Sequence, residues 1–274
     1  MSGIEWQDEQ VRLHDDVCLQ LRWGRQPSGQ GKPVILLLHE ALGCIDMWKR
    51  FPELLAQATG LNVLIFERRG YGRSTAITLP RPDDYLLDEG EVWLPRLLDQ
   101  LELEQVILFG HSDGGSIAQI GAASCPDQVV AMITLAAHIY VDHLTLDGIR
   151  EAAERYRTTD LPERLARYHG ERTDLIFRAW SETWLRPSCY ENLDLKPQLS
   201  RIRCPALIMQ GDRDEYGVPE QVTDACAVIG DHAEACFIDD CGHVPHLEKP
   251  QEVLAQTVDF LRRVRLMAAD QPAS

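Results

Sequence analysis

Gly110-His111-Ser112-Asp113-Gly114 sets a serine between glycines, directly after an apolar run and before a stretch of helical character. A turn between strand and helix at this pattern is too tight for side chains beside the serine. It leaves the hydroxyl exposed, next to a helix N-terminus that favours negative charge. The five-residue pattern recurs by chance; its placement between strand and helix is what makes it specific. A serine hydroxyl becomes a nucleophile only when a base takes its proton. Of the nine histidines, His243 is the best placed, in Asp240-Cys241-Gly242-His243-Val244-Pro245 after the last apolar run, with His246 as its near rival. The base needs a carboxylate to hold its tautomer. Asp214, in Gly211-Asp212-Arg213-Asp214-Glu215, is the preferred candidate, and Asp212, Glu215 and Asp142 are the alternatives.

These groups work together only if the fold brings their loops to one place, and the apolar patterning supplies that fold. Continuous apolar runs bounded by turn residues read as strands buried on both faces. They occur at 34–38, 63–66, 106–109, 131–135, 206–209 and 235–238, and helical stretches at 48–59, 89–101, 115–123, 219–229 and 250–267 alternate with them. Weak alternation in the first thirty residues adds an antiparallel hairpin at a sheet edge. The pattern predicts an α/β fold: a mostly parallel, twisted sheet of about eight strands with helices on both faces. Ligand sites in such sheets lie at the C-terminal edge of the strands, where the loops bearing Ser112, Asp214 and His243 all fall. One segment breaks the alternation. Residues 140–201 hold no convincing strand and read as several helices, predicted to form a cap inserted after the sixth strand of a core made of 1–139 and 202–274.

Composition narrows the partners. The chain has 274 residues, enough for a single α/β core with an insertion, and a net charge of −16. That charge disfavours nucleic acid and anionic membrane surfaces. No apolar stretch is long enough to span a bilayer, and the first residues lack the pattern of a secretory signal. The expectation is a cytoplasmic protein with reduced cysteines. Cys236, Cys241 and His243 lie near one another in sequence, but no Cys-x-x-Cys pair accompanies them. His39-Glu40 lacks the second histidine of a zinc protease. No metal and no cofactor is expected. A small-molecule substrate is the expected partner, and the oligomeric state, homodimer included, is left open.

On these motifs the chain resembles the α/β-hydrolase fold superfamily, in its serine-nucleophile branch of carboxylesterase and lactonase type with a helical cap. The chain order serine, acid, histidine is the one that family uses. Arg69-Gly70-Tyr71-Gly72-Arg73-Ser74, Gly211-Asp212-Arg213-Asp214 and Gly242-His243 resemble its loops, and His39-Glu40-Ala41-Leu42-Gly43 and Asp214-Glu215-Tyr216-Gly217 resemble those of one bacterial branch. The resemblance implies an oxyanion hole. One donor is the N–H of Asp113, and the other comes from the loop 39–43, with Ala41 preferred and Leu42 second. Glu40 stands where many relatives have glycine. Glu40 and Asp113 either make the pocket mouth negative, against anionic substrates, or turn away to hydrogen-bond the backbone or to pair with Arg68 or Arg69. Phe177, Trp180 and Trp184 have helical spacing; this is the packing face of a helix or, in part, a pocket wall. Trp180, Trp184, Glu40, Leu42, His138 and Tyr140 are the candidate pocket residues. The expected activity is hydrolysis of a small, largely apolar ester, lactone or thioester. Hydrolysis of a C–C bond beside a ketone is the second expectation, and a non-catalytic receptor on the same fold the third. Dehalogenase and epoxide hydrolase readings are weak, because their members with this fold carry aspartate where Ser112 stands.

Overall fold

Alternate residues of the central strands feed two apolar layers. In β3 (Val34–Leu38), Ile35 and Leu37 point into one layer and Leu36 and Leu38 into the other, all four without solvent exposure. The same division runs through β4 (Val63–Phe66), β5 (Val106–His111), β6 (Val129–Leu135) and β7 (Ala206–Gly211). Each fully buried leucine or isoleucine contributes about 1.5–3 kcal/mol, and only a sheet covered on both faces accommodates such unbroken runs. The helices Phe51–Thr59 and Pro250–Arg263 cover one face. The helical run 85–100, the helix Asp113–Ser124 and the helix Glu220–Ile229 cover the other.

The computed structural model describes residues 3–267. With β1 (Glu5–Arg12), β2 (Cys18–Arg25) and β8 (Ala233–Ile238), the sheet has eight strands in the order β1-β2-β4-β3-β5-β6-β7-β8. β1 and β2 pair antiparallel, as do β2 and β4, and all later pairs are parallel. β1 is polar and largely exposed (Glu5, Gln7, Asp8, Glu9), as suits an edge strand that must not recruit another chain. The sheet and its helical covering match the sequence expectation. Helix bounds differ most, by four residues, at two places. The helical run expected at 89–101 starts four residues earlier, at Tyr85, and contains a π-helical turn at Glu89–Trp93. The last helix ends at Arg263 rather than 267.

Strands β4 and β5 flank β3, so the chain winds away from β3 in both directions and leaves a crevice above its C-terminal end. Between β6 and β7 lie the helices His143–Thr158, Leu161–His169 and Thr173–Trp184, two single-turn α-helices and a 3₁₀ turn at Gly170–Arg172. Among the described residues of this segment, the only β pairing is one bridge, Tyr140 to Asp194. Among the described residues, no helix is long and apolar enough to cross a membrane.

Candidate active site

Ser112 sits where β5 ends and the helix Asp113–Ser124 begins, with φ 52° and ψ −120°. This is a left-handed conformation that non-glycine residues rarely adopt, and it persists because the surroundings fix it. A Cβ on Gly110 would lie 2.2 Å from the Gly114 carbonyl oxygen, and a Cβ on Gly114 would lie 2.0 Å from that of Leu38. Both flanking glycines are therefore required by close backbone approach.

Asp214 follows β7 and His243 follows β8, the two strands beyond β6. The two loops interlock: the Asp212 amide donates to the Ile238 carbonyl and the Arg213 amide to that of Cys241. A Cβ on Gly211 would come within 2.2 Å of the Cys241 oxygen. This arrangement sets His243 Nε2 3.0 Å from Ser112 Oγ and Nδ1 2.8 Å from Asp214 Oδ1. Asp214 Oδ1 also accepts from the Tyr216 amide at 2.8 Å. Glu215 Oε2 accepts from the His243 amide, and His111 Nε2 donates to the His243 carbonyl at 2.7 Å.

The alternatives are placed elsewhere. His246 is buried among Trp48, Phe51 and His111, and burial, with His111 beside it, holds its imidazole well below the usual range. Asp142 caps the helix His143–Thr158 through the Thr145 amide and accepts from Gln221 and the Val218 amide. Asp212 accepts from the Cys241 amide.

Charges around Ser112, His243 and Asp214 are matched to their geometry. Burial opposes ionisation of Asp214, but His243 and the hydrogen bonds from His243 and Tyr216 outweigh it and hold the carboxyl below its ordinary value. Burial likewise opposes protonation of His243. Asp214, with Glu215 and Glu40 farther away, outweighs it and raises the imidazole above its ordinary value. The ionised Asp214 accepts from Nδ1–H, which leaves Nε2 as the acceptor facing the serine hydroxyl.

A cavity of about 280 Å³ opens over Ser112. Glu40, Ala41, Leu42, Asp113, His138, Trp180 and Trp184 line it, as do Met47, Thr145, Ile149, Leu165, Tyr216 and Val244. The helical stripe is thus divided. Trp180 and Trp184 face the cavity, whereas Phe177 stacks on Tyr156 at 3.8 Å. Tyr140 is a correction: it does not line the cavity. Its ring lies under the Lys196 ammonium, and its hydroxyl is turned to Asp224, because the Tyr140–Asp194 bridge turns the chain there. His138 Nε2 donates to the Tyr216 carbonyl at 3.0 Å. The Asp113 carboxylate turns away from the cavity and takes hydrogen bonds from Arg68 and Tyr85. Glu40 stays at the cavity wall, 3.5 Å from His111 Nδ1. Met47, Ile149 and Leu165 had no distinguishing sequence signal beyond being apolar. Tyr216 and Val244 are within reach of the sequence, since each lies within two residues of Asp214 or His243. Among the described residues, no cluster of three or more His, Cys, Asp or Glu side chains is arranged to hold a metal ion.

The eight-stranded sheet with its serine elbow defines a class, and comparison by sequence agrees. The chain belongs to the alpha/beta hydrolase family, which it matches over residues 35–257. It is 29% identical over 200 residues to human serine hydrolase BPHL, a match spanning 69% of this chain and 66% of that protein. It is 25% identical to the (E)-2-((N-methylformamido)methylene)succinate hydrolase of Acinetobacter baylyi, over 82% of this chain and 89% of that one. Among solved structures, the enol-lactonase from Burkholderia xenovorans superposes with a TM-score of 0.70 at 21% identity, covering 93% of this chain and 100% of the lactonase.

Proposed function

We propose that the protein is a serine hydrolase acting on a small, largely apolar carboxylic ester, lactone or thioester through an acyl-enzyme on Ser112. The observation that carries this is a continuous hydrogen-bonded line, from Asp214 through His243 to Ser112, that ends at the floor of a mainly apolar cavity. His243 Nε2 takes the hydroxyl proton as Ser112 Oγ attacks the carbonyl carbon. Asp214 holds the tautomer and stabilises the imidazolium. The N–H groups of Asp113 and Ala41 receive the oxyanion, each worth about 3 kcal/mol or more. The intermediate collapses as His243 gives its proton to the leaving group. A water molecule, deprotonated by His243, then attacks the acyl carbon and frees Ser112.

The helical segment 140–201 acts as the cap of this site and supplies Trp180, Trp184, Ile149 and Leu165 as its apolar wall. With the Asp113 carboxylate turned to Arg68 and Tyr85, the carboxylates at the lining are those of Glu40 and Glu215, and there is no lysine or arginine among the described lining residues. Uncharged acyl and alcohol groups suit such a pocket better than carboxylated ones. A panel of p-nitrophenyl esters, lactones and thioesters, together with a fluorophosphonate probe, tests the proposal. Wild-type protein labels at Ser112, and Ser112→Ala loses at least about 10³-fold in kcat with an unchanged melting temperature. Wild-type rates in that variant would falsify it.

A further inference from the structure

One carbonyl in the loop after β3 has more donors than it needs. The Glu40 oxygen accepts from the Gly43 amide at 3.0 Å, closing a turn, from His39 Nδ1 at 2.7 Å and from Arg68 Nη2 at 2.9 Å. A carbonyl oxygen has two lone pairs, and here it meets three donors, one of them a cation. The His39 tautomer is fixed by the same residue: the Arg68 amide donates to His39 Nε2 at 3.1 Å, which leaves the proton on Nδ1.

Arg68 has no solvent exposure. A buried guanidinium costs several kcal/mol unless it is paired, and the carboxylate it meets is that of Asp113, with Oδ2 3.4 Å from both Nη1 and Nη2. Nη2 also lies 3.3 Å from the His39 carbonyl oxygen. The Asp113 carboxylate is steadied further by the Tyr85 hydroxyl at 2.7 Å, which itself accepts from Trp184 Nε1 at 2.6 Å.

A peptide unit is planar and trans, so the carbonyl of one residue and the N–H of the next point in opposite directions. Fixing the Glu40 oxygen towards Arg68 therefore aims the Ala41 N–H away from Arg68. A cation on that oxygen also polarises the peptide and makes the N–H a stronger donor. Asp113, whose N–H begins the helix behind Ser112 and has no intrahelical acceptor, is tied to the same guanidinium by its side chain.

We infer that Arg68 is the positioning residue of the oxyanion hole, its one guanidinium bracing the Glu40–Ala41 peptide on one side and Asp113 on the other. The inference rests on the serine-hydrolase reading above. It also selects Ala41 over Leu42 as the second donor, because, among the described residues, no cation touches the peptide before Leu42 directly: the Ala41 oxygen accepts from the Tyr71 hydroxyl at 2.7 Å, which in turn accepts from Arg81 Nη1 at 3.2 Å.

The test uses Arg68→Gln, Arg68→Lys and Tyr71→Phe in the full chain. Three quantities are measured: kcat per titrated active site, KM, and inhibition by an aryl boronic acid, which forms a tetrahedral serine adduct, against inhibition by the product carboxylic acid. Arg68→Gln should lower kcat by about 100-fold, the cost of losing roughly one donor, with KM within threefold. Boronic acid affinity should fall in step with kcat, and product affinity should hold. A role in folding alone would lower the melting temperature without separating the two inhibitors. Arg68→Lys keeps the charge but not the fork, and should fall between wild type and Arg68→Gln. Tyr71→Phe should stay within threefold of wild type. Wild-type kcat in a folded Arg68→Gln protein overturns the inference. If that variant does not fold, Arg68→Lys decides: a tenfold or greater loss of kcat supports it and wild-type kcat overturns it. A hundredfold loss in Tyr71→Phe also overturns it, since the hole would then run through Leu42. A wild type that turns over no ester and takes no probe at Ser112 removes the hydrolase reading and this inference with it. An active wild type with indifferent Arg68 variants removes only the inference.

Discussion

Replacing Asp214 by asparagine separates the two things that carboxylate does. Oδ1 accepts from both His243 Nδ1 and the Tyr216 amide, while Oδ2 is buried without a hydrogen-bond partner. An asparagine can therefore place its carbonyl oxygen at the Oδ1 position and keep both bonds, with its NH₂ in the space of Oδ2. The His243 tautomer survives, and what is lost is the negative charge beside the imidazolium. At about 4 Å and an effective dielectric of about 20, that charge is worth about 4 kcal/mol. At 1.4 kcal/mol per factor of ten, this is nearly 10³ in rate. Asp214→Asn should lose about 10²–10³ in kcat/KM, less than the roughly 10⁴ seen when the imidazole is driven into the wrong tautomer. The pH profile supplies a second reading. In the proposed mechanism turnover needs neutral His243, and Asp214 raises that imidazole. The wild-type acid limb should therefore lie above pH 6.5, with activity lost as pH falls through it. In the variant the limb should move to lower pH. Steady-state hydrolysis of a p-nitrophenyl ester between about pH 5 and 9 measures both. A variant within tenfold of wild type, or an acid limb that stays in place or moves upward, would refute the reasoning.

Two further outcomes follow from the surroundings. Asp142→Ala removes the cap of the helix His143–Thr158 and should lower stability by about 1 kcal/mol in urea unfolding; kcat per folded molecule should be unchanged, and a collapse of kcat would return Asp142 to the triad. Neutral esters should exceed matched carboxylated esters in kcat/KM by about tenfold, some 1.4 kcal/mol of repulsion from Glu40 and Glu215, and a preference for the carboxylated ester would count against the charge argument.

The central sheet is legible in the sequence because β3 to β7 are apolar on both faces, and a run such as Val34-Ile35-Leu36-Leu37-Leu38 fits little else of that length. The positions of Ser112, Asp214 and His243 are legible for a related reason: each lies just beyond a strand, and parallel strands deliver their following loops to one edge. What escapes is set by side-chain direction and by packing between distant helices. Tyr140 lies two residues from His138, yet a single bridge to Asp194 is enough to send the two side chains to different places. The carboxylate of Asp113 is ambiguous in sequence because Arg68 and Tyr85, which hold it, lie 45 and 28 positions away. Ile149 and Leu165 reach the cavity from separate helices, and no local pattern distinguishes a wall residue from a packing residue on an amphipathic helix.

Ser112 and His243 differ in how firmly they are anchored. Ser112 belongs to the middle of the sheet, whereas His243 follows β8, which pairs only with β7 and leaves Phe237 in solvent. Outer strands open locally at lower free energy than the core. Inactivation by mild denaturant is therefore expected to precede global unfolding, through local opening of the His243 loop; activity and far-UV circular dichroism lost together along a urea titration would refute this. The hydrogen bond from His111 to the His243 carbonyl is the latch that opposes it, since it fastens that outlying loop to the residue before the serine itself.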